Sequence, residues 1–496
     1  MAAQTFGRIP YHIRSFLGGT SDYEDKGIAG AFKFGQSLDI RKRKDTLTCQ
    51  QALKDDLAPG TMTNIAYFTV PASDGFTYFF CYDGKIFSRA ANGTYTLVYT
   101  DTNESGHIKG AAEWYDNAGF TYLVYATDTR LNVKKILGPA YTNANWSDIN
   151  SASAGSWPKT NLTSATWHTM KIANGELLIT NNQYLALVGY DFSYTNQALT
   201  LIPGNTSQCL VERGKFGIIG CNKVSKQDES ALFSWDGLSL SWNDKEPIKY
   251  AGINSMIDTE IAIMQLGSAG QLYISNLNQP LPIKVIPGGG STNPDGVASY
   301  HGMALMGVFG GTGNSGIWSF GRINKNAPIS LNYEYPLTCD IVGSVAVVGT
   351  DILVTYKSGT NYGVKIVDTA NKATAIYQSL DLVAPLGTRR YPIPLERHLE
   401  WTRAILACQP IPTGCKVEFW YRLDKILDNS LNPNADSNGW IQANLEDMSI
   451  QATTGQAELT FFLGEKARVF EFQIKIIPSA NLTPEVNEAN IYFDAG

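Results

Sequence analysis

Residues 76 to 100, FTYFFCYDGKIFSRAANGTYTLVYT, read as three strands joined by two turns, and the pattern returns in weaker form about six more times before residue 380. Phe76 to Tyr82 is a run of aromatic and β-branched residues, Asp83-Gly84 supplies the positive φ of a two-residue hairpin turn, and Lys85 to Arg89 begins a second strand. Asn92-Gly93 then leads into a third strand, Thr94 to Tyr99, of strong β propensity. With Asn64 to Val70 as the innermost strand, the result is a four-stranded antiparallel unit. Such a unit exposes two faces that it cannot bury alone, so copies of it must stack.

The strand after the first turn recurs around Phe87, Val133, Leu187, Phe233, Tyr273, Trp318 and Val364, at separations of 46, 54, 46, 40, 45 and 46 residues. A propeller blade occupies roughly 40 to 50 residues. The longest gap holds a Ser/Asn/Thr-rich insertion, Tyr141 to Thr166, that reads as a surface loop. Asn174-Gly175, Asp236-Gly237 and Ser358-Gly359 repeat the turn signal. The expectation is an all-β chain with a β-propeller of about seven blades over residues 61 to 380, six and eight being the neighbouring counts.

Around the repeats lie two other regions. Residues 1 to 60 carry glycines between short aromatic islands (Phe16, Phe32, Phe34) and read as an extended N-terminal arm that docks on another surface. Its basic run, Arg41, Lys42, Arg43 and Lys44, is the candidate contact for assembly or nucleic acid; a solvated strand end is the plainer reading. Residues 381 to 395, with Gly387 and three prolines, read as a linker. From 396 to 496 about six strands follow, as in a β-sandwich. Val469 to Ile476 alternates, with Phe470, Phe472, Ile474 and Ile476 facing a core and Glu471, Gln473 and Lys475 facing out.

Charge and composition limit the function classes. A net charge of -6 disfavours a chain that lives by gripping nucleic acid, since phosphate neutralisation needs a surplus of Lys and Arg. Seven cysteines without a CxxC pair argue against a zinc knuckle and for reduced core thiols of a protein made in a cytoplasm. No stretch approaches the ~18 apolar residues of a membrane span, and the N-terminus, without an apolar h-region, is expected to carry no signal peptide. Trp114, Trp235 and Trp318 fall on strands and read as packing between blades, a sugar-stacking role being the alternative for one of them.

The sequence offers no catalytic constellation. His12, His107, His168, His301 and His398 are isolated from one another, no HExxH, GxSxG or Walker motif occurs, and Gly310 to Gly316 reads as a loop between strands. No cofactor or metal is expected. Phe6-Gly7-Arg8-Ile9-Pro10 resembles the Arg-Ile-Pro motif of sialidases, and Ser73 to Tyr78 resembles their Asp boxes. That arginine belongs on the first propeller strand, however, and Arg8 lies far ahead of it, while the Asp-box spacing is not met.

A broader resemblance covers nearly the whole chain. The arm with Leu38-Asp39-Ile40-Arg41 and Thr46-Leu47-Thr48, the blade motif Gly84 to Arg89 followed by Gly93 to Thr96, and the terminal Gly414 to Arg422, Trp440 and Arg468 to Ile476 together resemble the propeller-bearing tail proteins of bacteriophages, the hub, nozzle and minor tail class. The resemblance implies a non-enzymatic virion subunit, assembled in the host cytoplasm into a ring around the tail axis. Its partners would be itself, other tail proteins and, transiently, DNA in passage. A glycan- or receptor-binding propeller is the alternative, with a cellular scaffold as a third reading.

Overall fold

The computed structural model describes residues 9–21, 23, 30–41, 45–103, 107–141, 145–150, 157–223, 230–248, 252–259, 262–275, 280–324, 326–383, 399–426 and 435–494. Apart from one 3-10 turn at Trp146–Asp148, the regular structure of these residues is all β. The chain divides into two compact units, a propeller unit (Lys54–Ile317 and Leu337–Val367) and a sandwich unit (Met1–Leu53, Trp318–Pro336 and Asp368–Gly496). The division is discontinuous in sequence, unlike the consecutive blocks 1–60, 61–380, 381–395 and 396–496 that the sequence suggests.

In the propeller unit each sheet but the last is built from strands consecutive along the chain. The first comprises Ala66–Pro71, Thr77–Cys81, Lys85–Arg89 and Tyr95–Thr100, each antiparallel to the next. Further four-stranded sheets begin at Met170, Asn205 and Ile253. Their innermost strands pack side by side in cyclic order: Ala66–Pro71, Gly110–Tyr115, Met170–Ala173, Asn205–Arg213, Ile253–Asp258, Val297–Tyr300, Ile341–Val348 and back to Ala66–Pro71. This is the β-propeller architecture. Phe87, Val133, Leu187, Phe233, Tyr273 and Val364 each lie on the third strand of a sheet. Trp318 lies on Gly316–Gly321, the third strand in chain order after Val297–Tyr300.

Closure comes from the start of the chain. The sheet of Ile341–Val348, Asp351–Ser358 and Asn361–Lys372 takes its fourth strand from Gln51–Met62. Leu57 and Met62 of that strand share a core with Phe79, Cys81 and Phe87 of the first sheet and Leu353, Val364 and Ile366 of the last.

The turns follow local chemistry with one difference. Asn174 (φ 55°) and Gly175 (φ 84°) form the two-residue turn that needs two left-handed residues. Asp83-Gly84 does not: Tyr82, Asp83 and Gly84 make a three-residue loop in which Gly84 (φ 84°) donates its N–H to the Cys81 carbonyl, and Gly84 alone is left-handed. Aspartate tolerates left-handed φ less readily than glycine, so the loop takes one more residue.

The insertion after the second sheet does more than cover surface. That sheet has only three strands, Gly110–Tyr115, Thr121–Ala126 and Leu131–Leu137. Lys159 exchanges both backbone hydrogen bonds with Leu131 at its open edge. Trp146 packs on Tyr78 and Tyr99 of the first sheet. Lys134, whose side chain is fully buried, is held by Asp148, the Asn145 carbonyl and the Tyr141 hydroxyl. The insertion thus covers backbone that a fourth strand would otherwise satisfy.

The sandwich unit packs two sheets face to face. One has the order Ile9–Ile13, Val486–Asp494, Leu399–Cys408, Glu458–Ala467, Asn444–Leu445; the other runs Ser330–Pro336, Phe34–Gln36, Ala375–Gln378, Val469–Ile477, Lys416–Leu423, Ile441–Gln442. Trp401, Phe461 and Phe493 meet Phe419, Phe470 and Phe472 in its core. The described part of the N-terminal segment ahead of Gln51 belongs to this fold: Phe16, Phe32, Leu38, Ile40, Leu47 and Cys49 are core residues, and two of the strands come from it. Of the aromatic islands read as features of an arm, Phe16 and Phe32 are core side chains, and Phe34 is half-buried beside Tyr333. Of the expected linker, Leu382–Val383 pairs with Val469–Ile477, and residues 384–395 lie outside the described residues.

One expectation in the alternating strand is corrected. Glu471 does not face solvent; it is fully buried, because the sheet's outer face is covered there by Lys33 and Arg422.

Candidate functional site

The basic run resolves into one described residue. Arg41 sets its guanidinium against Glu334, which is almost fully buried and also accepts from the Gln50 side-chain amide at 3.2 Å. Burial pushes the Glu334 carboxyl up, and Arg41 opposes the shift. That is the geometry of an internal ion pair between the N-terminal segment and the Ser330–Pro336 strand. Lys42, Arg43 and Lys44 lie outside the described residues. A second set lies across the same unit. Lys33 bonds Glu471 at 2.5 Å and Asp381 at 3.4 Å, Arg422 bonds Glu471 at 2.7 Å, and Lys425 bonds Asp381 at 2.8 Å. These charges are mutually compensated, as buried ions must be.

In the propeller unit the polar residues stitch neighbouring blades. His168 is fully buried, with Nδ1 2.7 Å from the Thr180 carbonyl and Nε2 3.0 Å from the Asp128 carbonyl. Desolvation lowers its pKa against the pull of both carbonyls. Asp295 accepts from the Thr69 N–H at 2.9 Å, and burial raises its carboxyl to about 6. Thr69 also meets the Ser344 hydroxyl at 2.6 Å, and Thr355 donates to the Ala66 carbonyl at 2.6 Å. Arg89 grips Asp56 through Nε at 2.5 Å and Nη2 at 3.2 Å, and the Tyr95 hydroxyl donates to the same carboxylate at 2.6 Å.

The other sequence candidates sort simply. Trp114 and Trp235 are fully buried between sheets, donating to the Gly175 and Ser239 carbonyls, and offer no open ring face to a sugar. Trp318 is buried in the sandwich unit, stacked on Tyr333 at 4.6 Å. All seven cysteines are free thiols, and burial pushes Cys49 up to about 11 and Cys408 up to about 12. Arg8 of the sialidase-like motif lies outside the described residues, and Ile9–Ile13 pairs with Val486–Asp494 in the sandwich unit. Asp74 caps a turn, accepting from the Phe76 N–H and the Tyr78 hydroxyl. Among the described residues, no three His, Cys, Asp or Glu side chains converge as a metal site would require, and no helix is long and apolar enough to cross a membrane.

A cavity of about 140 Å³ lies on the sheet that begins at Asn205. Phe216, Ile218 and Leu232 make its apolar wall, and Ser234, Asp244 and Glu246 its polar side. Cross-strand pairing sets these residues on one face: Ile218 opposite Ser234, Leu232 opposite Glu246, Ser234 opposite Asp244. Their signal is the spacing of two in Asp244-Lys245-Glu246, which puts both carboxylates on the same side of a strand.

Among solved structures, the chain is similar to the WD40 β-propeller domain of Doa1, with 11% identity, a TM-score of 0.45 and coverage of 63% of this chain and 96% of that one. It is similar to the RRP9 WD40 repeats, with 12% identity, a TM-score of 0.45 and coverage of 64% and 98%. For the Dos1 propeller the values are 10%, 0.41, 74% and 97%. No protein-family model matches the chain, and no curated protein matches it.

Proposed function

We propose that the chain is a non-enzymatic structural subunit of a bacteriophage virion, a ring-forming tail hub, nozzle or minor tail protein built on a seven-bladed propeller and a sandwich. The observation that supports this reading best is how the charged side chains are engaged. Arg41–Glu334, Lys33–Glu471–Arg422 and Arg89–Asp56 each tie a segment from the start of the chain, or its closing strand, to a distant strand of the same unit. Such stitching suits a part that bears load rather than one that opens and closes on a substrate. The resemblance in layout to phage tail proteins supplies the virion and the ring.

A receptor-binding propeller is the second reading, favoured by the cavity that brings Phe216 together with Asp244 and Glu246. Mass photometry of the full chain, with negative-stain microscopy of the chain and of particles from its source, separates the two. A ring of copies, and density for it on the tail axis, is the expected result. A monomer at micromolar concentration that is absent from particles overturns the virion reading.

A further inference from the structure

The cavity on the Asn205–Ile248 sheet combines features that neither core packing nor blade stitching requires. Its wall is apolar, yet a carboxylate is built into it. Glu246 Oε1 is shielded from solvent and has no hydrogen-bond partner, while Oε2 has only the Ser275 hydroxyl at 3.5 Å. A carboxylate oxygen shielded from water without a donor is unfavourable, because its lost hydration is not replaced. Other carboxylates have a cation beside them: Glu471 has Lys33 and Arg422, Asp56 has Arg89, and Glu334, whose Oε1 also lacks a hydrogen bond, has Arg41. Asp244, one cross-strand pair away on the same face, adds a second negative charge at the mouth, and burial together with Asp244 raises the Glu246 carboxyl.

We propose that this cavity is a binding site for a primary alkylammonium group, with its methylenes along Phe216, Ile218 and Leu232 and its nitrogen on Glu246 Oε1. An anion is repelled by both carboxylates, and a neutral apolar guest leaves Glu246 without its donor. The volume suits the class. A cavity of about 150 Å³ takes up benzene, so about 140 Å³ holds the four methylenes and one nitrogen of a lysyl side chain. A planar guanidinium, with its fork of five N–H donors, needs more room and more acceptors. The aromatic wall is already attractive to cations, since the Lys215 ammonium lies 5.5 Å from the Phe216 ring centroid. Lys245, between the two acids, points to the other face, over Phe233. The inference rests on the cavity alone and holds under either reading of the protein's role.

The test is titration calorimetry with ligand-observed NMR on the full chain at low ionic strength, using four probes. These are n-pentylammonium, N-acetyl-lysine methylamide, and their neutral counterparts n-pentanol and N-acetyl-norleucine methylamide. Both ammonium probes should bind at about millimolar concentration and at least about tenfold more tightly than the neutral ones. Added salt should weaken them. Equal or tighter binding of the capped lysine assigns the site to a lysine presented by a protein partner; tighter binding of pentylammonium assigns it to a free amine. Glu246→Gln should erase the preference for charge without lowering the melting temperature, because it removes the charge of a half-buried carboxylate whose Oε1 has no donor. Ile218→Trp, which fills the cavity, should abolish binding of all four. Equal binding of charged and neutral probes, no binding of either ammonium, or full binding by the Glu246→Gln protein overturns the proposal.

Discussion

Replacing Asp56 with alanine tests what holds the propeller closed. Asp56 sits on the strand that the start of the chain contributes to the last sheet, and Arg89 and Tyr95, on the first sheet, both donate to it. The Arg89 side chain is only 7% exposed, so without Asp56 its guanidinium stays buried without a hydrogen-bonded counter-charge, the more distant Asp351 alone remaining to favour it. Breaking a buried pair from one side costs about 3 to 5 kcal/mol, whereas exchanging both partners for apolar residues of similar volume is often close to neutral. Asp56→Ala should therefore lower stability by about 3 to 5 kcal/mol, and the double variant Asp56→Leu with Arg89→Met should recover all but about 1 to 2 kcal/mol of it. Denaturant unfolding of the full chain gives the free energies, and amide hydrogen exchange gives the location. Protection should fall first in 54–62 and 85–100, because the seam between first and last sheets is then the weakest cooperative unit. A single variant within about 1 kcal/mol of the native protein, or a double variant no better than the single, would show that Leu57, Met62 and their apolar neighbours close the ring without the ion pair.

Three further outcomes follow from the geometry. The folded state raises Asp295 to about 6, above the ordinary aspartate value, so its charged form is disfavoured in the fold and stability is lost as pH rises from about 4 through 6. Asp295→Asn should thus raise the melting temperature at about pH 7, by an amount worth on the order of 1 kcal/mol, with the gain fading toward about pH 4 in thermal melts across that range. His168 has the opposite sense: its folded pKa lies below the free value, so it contributes stability above about pH 6.5 that is lost as pH falls, and His168→Gln should flatten the denaturation midpoint between about pH 7 and 5. Gly110→Ala should cost at least about 3 kcal/mol or prevent folding, since a Cβ there would lie 1.7 Å from the carbonyl oxygen of His168, whose N–H is bonded to the Lys109 carbonyl and whose ring is buried; circular dichroism melts and soluble yield report it.

The repeat was legible because each copy carries its own strand and turn chemistry. The centres from Phe87 to Val364 are aromatic or branched apolar residues that must be buried on stacked sheets, and their spacing survives insertions in the loops. The sandwich strands were legible for the same reason: Lys416–Leu423 and Val469–Ile477 stand out by β propensity alone. The site was less visible. Glu471 alternates like a surface residue, and the approach of Lys33, 438 positions earlier, together with cross-strand Arg422 makes it a core ion. Arg41 reads as part of a solvated basic run until Glu334, 293 positions later, meets it.

Local sequence thus determined the strands, most of the turns, the stacking of repeats and the all-β class, because each depends on residues within a few positions of one another. Tertiary structure alone decided the rest. That Gln51–Met62 closes the last sheet, that Phe16 and Phe32 fill the sandwich core, and that Asp244 and Glu246 share a cavity with Phe216 are pairings of residues brought together by chain closure, sheet packing and strand register. A one-dimensional pattern records what each side chain needs, a partner charge or an apolar neighbour, and not which distant segment supplies it.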